Sequence, residues 1–450
     1  MAAPFAETLP DVAARIRARE VTSTEVTEAC LERIARVNSQ VNAFITVSGD
    51  PALAMAREAD REIAAGRYRG PLHGVPISFK DLVDVAGLPT TAASRLLTGR
   101  MASADAPVAA RLRKAGAVFL GKTNLHEFAF GTTSEDSAYG PVRNPLDLSR
   151  SAGGSSGGAA AAVVEGMGYA AIGTDTGGSI RIPAAACGCV GLKPTYGEIS
   201  CEGVIPLSWS LDHVGPLARS VTGARIMYEA ALGVPGEPAP ARPVGHLRLG
   251  VLRGYFTDLL DEGVRTAFET ALSALQSAGA GFADRALAHA SDIASIYLHL
   301  QLPEASAYHA EALERHPEAY TPPVRLRLEM GRYVLAEDYV RAQRGALLLR
   351  QEVAAALEGN DALVLPTLPI PAPLLGANTV TIGEATHPVR ALMLRLTQLF
   401  DITHHPAVSL PCGRTPSGLP VGLQLVGHIH RTHELLAVAE ACEGLLRPRG

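Results

Sequence analysis

From Ser151 to Pro194 the chain reads SAGGSSGGAAAAVVEGMGYAAIGTDTGGSIRIPAAACGCVGLKP: two glycine-serine clusters flanking an alanine-rich helix and a short strand, with almost no charge inside. Glycine lets main chain approach a ligand with no Cβ in the way, and successive N–H groups in such turns form a concave anion trap. One cluster is Gly153-Gly154-Ser155-Ser156-Gly157-Gly158 and the other Thr176-Gly177-Gly178-Ser179. The alternative, a pair of flexible loops, is the weaker reading even for a lone cluster, and a compact helix and strand joining the two weaken it further.

Three familiar motifs fit parts of this stretch and fail on context. Gly154-Ser155-Ser156-Gly157-Gly158 matches a nucleophile elbow, but that turn needs an apolar strand before it, and Leu146 to Ala152 is polar turn sequence. Gly166 to Ala171 fits the loose dinucleotide fingerprint but follows a helix and enters a strand, the reverse of the order phosphate binding requires. A P-loop needs a lysine closing the turn, and none lies between Ser151 and Arg181.

A serine nucleophile needs a base, because its free hydroxyl is scarcely ionised at neutral pH. None of the 14 histidines lies between His126 and His213; the dense groups His404-His405 and His428-x-His430 read as surface turns. The alternative base is lysine, whose pKa falls when burial disfavours its charged form. Lys80 ends the apolar run Leu72 to Phe79, where it reads either as that base or as an edge-strand lysine opposing aggregation. Lys193 follows the second cluster and is less well placed to reach both serines.

Around this centre helices and strands alternate. Thr22-x-x-Glu25 is a capping-box signal for a helix through Val37, Ala52 to Ala65 follows, and Asp105 is expected to cap a helix from Pro107 that stops at Gly116 before the strand Ala117 to Gly121. Beyond the helix Val221 to Leu232, the proline-rich Val234 to Gly245 reads as a surface connection rather than a domain boundary, since strand and helix resume at His246 to Arg253 and Val264 to Leu275. Helix dominates Ser291 to Glu358. A buried-type strand at Ala362 to Pro366, a hairpin of Ala407 to Leu410 with Val421 to Val426, and a helix from Glu434 to Leu446 complete the chain. The pattern implies a layered α/β core with much parallel pairing.

Composition excludes some functions. A net charge of −5 leaves no general polyanion footprint, so direct nucleic-acid binding is not expected. Six scattered cysteines, an N-terminus without a signal-peptide pattern and the lack of a membrane-length apolar run predict a soluble, reduced, cytoplasmic protein.

Lys80, the Gly153–Gly158 cluster, Gly173-Thr174-Asp175-Thr176-Gly177-Gly178-Ser179-Ile180-Arg181-Ile182-Pro183-Ala184-Ala185 and Gly191-Leu192-Lys193-Pro194-Thr195 together resemble the amidase signature family. Agreement runs from about Gly74 through Arg219 and returns in PAVSLPCG and GLPVGLQLVG. The resemblance implies one α/β/α layered domain over 1–450, with a large mixed central sheet covered by helices on both faces. Its parts would be a helical portion at about 1–70, a signature core at about 71–220 and a completing portion at about 246–450.

The resemblance further implies a Ser-Ser-Lys triad: Lys80 as base, Ser155 as bridging serine after a cis peptide from Gly154, and Ser179 as the acylated nucleophile. The backbone N–H groups of Thr176, Gly177, Gly178 and Ser179 would form the oxyanion hole, with Asp175 and Arg181 as a buried supporting pair. Substrate contacts are expected from Phe130, Gly131 and Thr132. No metal or organic cofactor is implied. The expected partners are a small-molecule amide and at most a second copy of the chain in a homodimer.

Within that family the rival reading is the glutaminase component of a tRNA-dependent amidotransferase, whose helix carries an arginine for the glutamine carboxylate. The corresponding stretch here is Ala342-Gln343-Arg344-Gly345-Ala346, with alanine at the clamp position, and Leu394 stands where an aspartate is usual. An unpaired buried carboxylate is strongly disfavoured, so this pattern predicts a free-standing amidase acting on neutral amides. A catalytically dead scaffold would show damage to the triad or the glycines, and none is damaged.

Overall fold

The computed structural model describes residues 7–233 and 242–446. Its centre is an eleven-stranded sheet flanked by helices, in the order Phe44–Val47, Val118–Thr123, Pro76–Lys80, Ala170–Asp175, His213–Ala218, Val190–Lys193, Ala407–Arg414, Pro420–Val426, Ala362–Pro366, Arg248–Leu252 and Gly281–Arg285. Parallel pairing is confined to Val118–Thr123/Pro76–Lys80/Ala170–Asp175 on one side and Ala362–Pro366/Arg248–Leu252/Gly281–Arg285 on the other. The middle of the sheet is antiparallel, less parallel than the alternation suggested, because His213–Ala218, unread as a strand, inserts between two signature strands.

The central strands are apolar and buried throughout, as expected of strands covered on both faces. Thr22 and Glu25 form the anticipated capping box: Glu25 N donates to Thr22 Oγ1 at 3.1 Å and Thr22 N to Glu25 Oε2 at 2.8 Å. Asp105 does not cap its helix. Pro107 starts the helix after Ala106, and Asp105 instead accepts from Arg113 and from the Ala86 N–H. The segment read as turn before the first cluster contains a strand, Asp147–Ser151, paired with Arg143–Asn144. Of the proline-rich connection, residues 234–241 lie outside the described residues.

His404 and His405 are not surface-turn residues. His405 is buried and 3.0 Å from Thr403 Oγ1, while His404 accepts from Arg350 Nη2 at 2.8 Å and stacks on Tyr196. Among the described residues no helix is long and apolar enough to cross a membrane.

Candidate active site

Two adjacent parallel strands bring the candidate residues together. Pro76–Lys80 pairs with Ala170–Asp175 in the register Ser78 to Ala171 and Phe79 to Ile172, so Lys80 ends beside the strand that leads into the second cluster. The first cluster reaches them through the helix Gly157–Val164, whose residues are all glycine, alanine or valine. Close approach requires this: a Cβ on Gly158 would lie 2.3 Å from the Asn124 carbonyl oxygen and 2.5 Å from that of Ala43.

Lys80, fully buried, donates from Nζ to Ser155 Oγ at 2.7 Å and to Thr174 Oγ1 at 2.8 Å. Burial pushes its pKa down to about 7, against the opposing pull of Asp175 and Asp212. The Gly154–Ser155 peptide is cis, and the Ser155 carbonyl accepts from the His126 N–H and from Ser134 Oγ, both at 3.1 Å. Ser156 turns its hydroxyl to the Thr174 carbonyl at 3.1 Å, and its N–H donates to the Ser179 carbonyl at 3.1 Å, tying the two clusters together. Among the described residues the Ser179 hydroxyl makes no hydrogen bond. Lys193 is also buried but donates to the Pro194 carbonyl, away from the serines.

The second cluster is shaped by Asp175. Its carboxylate accepts from the N–H groups of Gly178 at 2.6 Å and Ile180 at 3.0 Å, and from Arg181 Nε and Nη2 at 3.0 and 2.9 Å. The Arg181 guanidinium holds that carboxyl well below its usual range, although burial alone would raise it. Gly178 thereby departs from the expectation for the oxyanion hole, since its N–H is already committed to Asp175. The N–H groups of Thr176, Gly177 and Ser179 make no hydrogen bond among the described residues. Arg181 also meets Asp401 at 2.7 Å, the Thr397 carbonyl at 2.9 Å and Gln424 Oε1 at 2.7 Å, so the expected pair is one half of a larger buried network.

A cavity of about 220 Å³ opens beside Thr174 and Thr176, walled by Leu82, Ile205, Leu207 and Trp209. Along its lining Thr176 Oγ1 donates to Asp212 Oδ1 at 2.6 Å, and burial pushes the Asp212 carboxyl up to about 6. Of the segment expected to touch substrate, Ala129 lines this cavity; Phe130, Gly131 and Thr132 do not. Phe130 is buried, and Gly131 abuts His126, whose Nε2 lies 2.0 Å from where a Cβ would be. Sequence reasoning passed over Thr174 and Asp212. Alternation gives no signal for Thr174, since the register puts Lys80 level with Gly173; the two meet only at the strand ends.

On the helix Ala336–Leu357, Arg344 is exposed, Arg341 pairs with Asp338, and Ala346 packs against the core. Arg350 turns to His404. That helix brings no free cation to the site, but Arg327 and Arg390 on other elements stand beside the expected binding segment, with guanidinium carbons 5.8 and 5.7 Å from the Phe130 ring centroid.

A buried lysine bonded to one serine stands near a glycine loop that has unbonded N–H groups among the described residues and a second serine, a set of groups compatible with acyl transfer. Residues 25–436 match the family model described as Amidase. The chain is 42% identical over 429 residues to an amidase from Pseudomonas putida, covering 92% of this chain and 90% of that protein. It is 38% identical over 480 residues to the A-type component of the glutamyl-tRNA(Gln) amidotransferase from Geobacter sp. (strain M21), covering 98% and 97%. A solved amidase structure superposes with a TM-score of 0.93 at 38% identity, over 98% of this chain and 100% of that one. The chain belongs to the amidase family, and it is an amidohydrolase.

Proposed function

We propose that the chain cleaves a linear carboxylic amide through an acyl-enzyme on Ser179, with Lys80 as base and Ser155 as relay. The observation that carries this reading is the 2.7 Å contact between Lys80 Nζ and Ser155 Oγ in a fully buried position. Burial keeps a large fraction of Lys80 neutral at pH 7, and a neutral amine offers Ser155 a lone pair. As Lys80 takes the Ser155 proton, Ser155 takes that of Ser179, whose Oγ attacks the amide carbonyl. The oxyanion would lie against the N–H groups of Thr176, Gly177 and Ser179, each such donor contributing about 2.7 to 4 kcal/mol to transition-state stabilisation. The proton returns through Ser155 to the leaving nitrogen, and ammonia or an amine departs. Water then repeats the path and releases the acid. In this reading the chain is a single domain over 1–450, supported by one sheet that takes strands from Phe44 to Val426, and it works in the cytoplasm.

Thr174 sets the poise of the base in this scheme. Its hydroxyl accepts from Lys80, a bond that favours the charged ammonium over the neutral amine. Thr174→Val should therefore lower the Lys80 pKa, moving the acid limb of kcat/KM against pH to lower pH, with a fall in kcat on the order of 10-fold from the loosened lysine.

The amidotransferase reading rests on relatives such as the Geobacter protein. What favours a free-standing enzyme is the helix Ala336–Leu357, where alanine occupies the clamp position and Arg344 faces solvent. A panel of small primary amides with ammonia detection, using the purified chain alone, separates the two. Turnover without a partner is expected; ammonia release that begins only when a tRNA-binding partner is added would restore the amidotransferase reading.

A further inference from the structure

The helix Val389–Arg395 presses Leu394 against the oxyanion loop: Leu394 Cδ2 lies 3.0 Å from where a Cβ on Gly177 would sit, and the Tyr297 hydroxyl lies 2.4 Å from the same point. Arg390 is one turn before Leu394 on the same helical face. Its charge is felt by Tyr297, and its guanidinium stands beside the Phe130 ring. Arg327, from the helix Pro322–Gly331, stands beside the same ring and donates from Nη1 to the Phe130 carbonyl at 2.6 Å. Phe130 adjoins Ala129, which lines the cavity next to Thr174 and Thr176.

Among the described residues neither Arg327 nor Arg390 forms an ion pair with a carboxylate, and Arg390 makes no hydrogen bond. The carboxylate that acts on Arg327 from a distance, Asp136, is engaged 3.0 Å from His126 Nε2. Arg181, the interior arginine of the loop network, is by contrast matched by both Asp175 and Asp401. Both guanidinium groups are half-buried, and leaving them near one another without a counter-charge is unfavourable; burial and the charge of Arg390 act in the same direction on Arg327, lowering it to about 10, and burial lowers Arg390. An anion placed between them relieves both.

We propose that Arg327 and Arg390 form a carboxylate subsite beside the oxyanion loop, so that the enzyme selects amides bearing an anionic carboxylate over neutral amides. This rests on amide hydrolysis at Ser179 and reverses the preference expected from Ala346 alone, because the cations come from two other helices. Holding Phe130 in place accounts for the bond made by Arg327; it does not account for Arg390.

The test compares ammonia release from malonamate, succinamate and glutaramate with that from acetoacetamide, 4-oxopentanamide and 5-oxohexanamide, in which a methyl ketone replaces each carboxylate at nearly equal size. For at least one pair the wild-type enzyme should favour the anion in kcat/KM on the order of 10- to 100-fold, the range expected for charge-assisted hydrogen bonds. That ratio should collapse in Arg390→Gln, fall in Arg327→Gln, recover in part in Arg390→Lys and remain intact in Arg344→Gln, which removes an exposed arginine. A wild-type ratio near one for all three pairs, or a ratio unchanged in Arg390→Gln and Arg327→Gln, overturns the subsite. Hydrolysis of the ketone amides with no anion preference would defeat the subsite and leave the amidase reading standing. If neither series turns over, these amides are not substrates, and direct binding of succinate by calorimetry decides the subsite: binding lost in Arg390→Gln supports it, and no wild-type binding overturns it.

Discussion

Ser179→Ala is expected to lower kcat by about 10⁴-fold or more, because loss of the nucleophile leaves only binding and the preorganised N–H groups. A fluorophosphonate probe followed by intact-protein mass spectrometry gives the sharper result: the wild-type chain gains one adduct, and Ser179→Ala gains none. Ser156→Ala should still be labelled, since the Ser156 hydroxyl is directed to the Thr174 carbonyl rather than toward the second cluster. Labelling of Ser179→Ala at the wild-type rate would remove Ser179 from the mechanism. Labelling lost equally in both variants would point to collapse of the joined loops instead.

The second large effect belongs to Lys80. With its pKa near 7, the protonated form dominates below that pH and cannot accept a proton, so kcat/KM should fall about tenfold per pH unit on the acid side and level off above about pH 8. Lys80→Met, which keeps much of the side-chain volume while removing the amine, should lower kcat on the order of 10²- to 10⁴-fold with a much smaller change in KM, and abolish that acid limb. Circular dichroism in the near ultraviolet checks that the variant remains folded. An acid limb that persists in a folded Lys80→Met enzyme would assign the titration elsewhere. Asp212, pushed up to about 6, is then the group to replace next.

The two buried lysines illustrate what residue order could rank before the fold was known. Lys80 and Lys193 both end apolar strands, both are buried, and burial pushes both to about 7. Lys193 follows the second cluster and so is the less well placed to reach both serines, and it donates instead to the Pro194 carbonyl. Asp105 illustrates the opposite. An acidic residue just before Pro107 has the composition of a cap, yet the Arg113 guanidinium competes for it, and a charge-assisted pair prevails over a local backbone bond.

Resemblance to the amidase signature family named the candidate nucleophile, relay and base, and the alternation of helix and strand implied a layered α/β architecture. Glycine-serine clusters carry their backbone geometry locally, and residue type limits which side chain can hold a proton. Tertiary structure decided what surrounds them. Arg181 meets an Asp401 that lies 220 positions away, and Arg327 reaches a Phe130 carbonyl across 197. The withdrawal of the Gly178 N–H into the Asp175 carboxylate depends on that same network holding Asp175 in place. Such partners are chosen by packing between remote helices and strands, and no local pattern encodes them: the charge missing from one helix is supplied by two others that meet only in the folded chain.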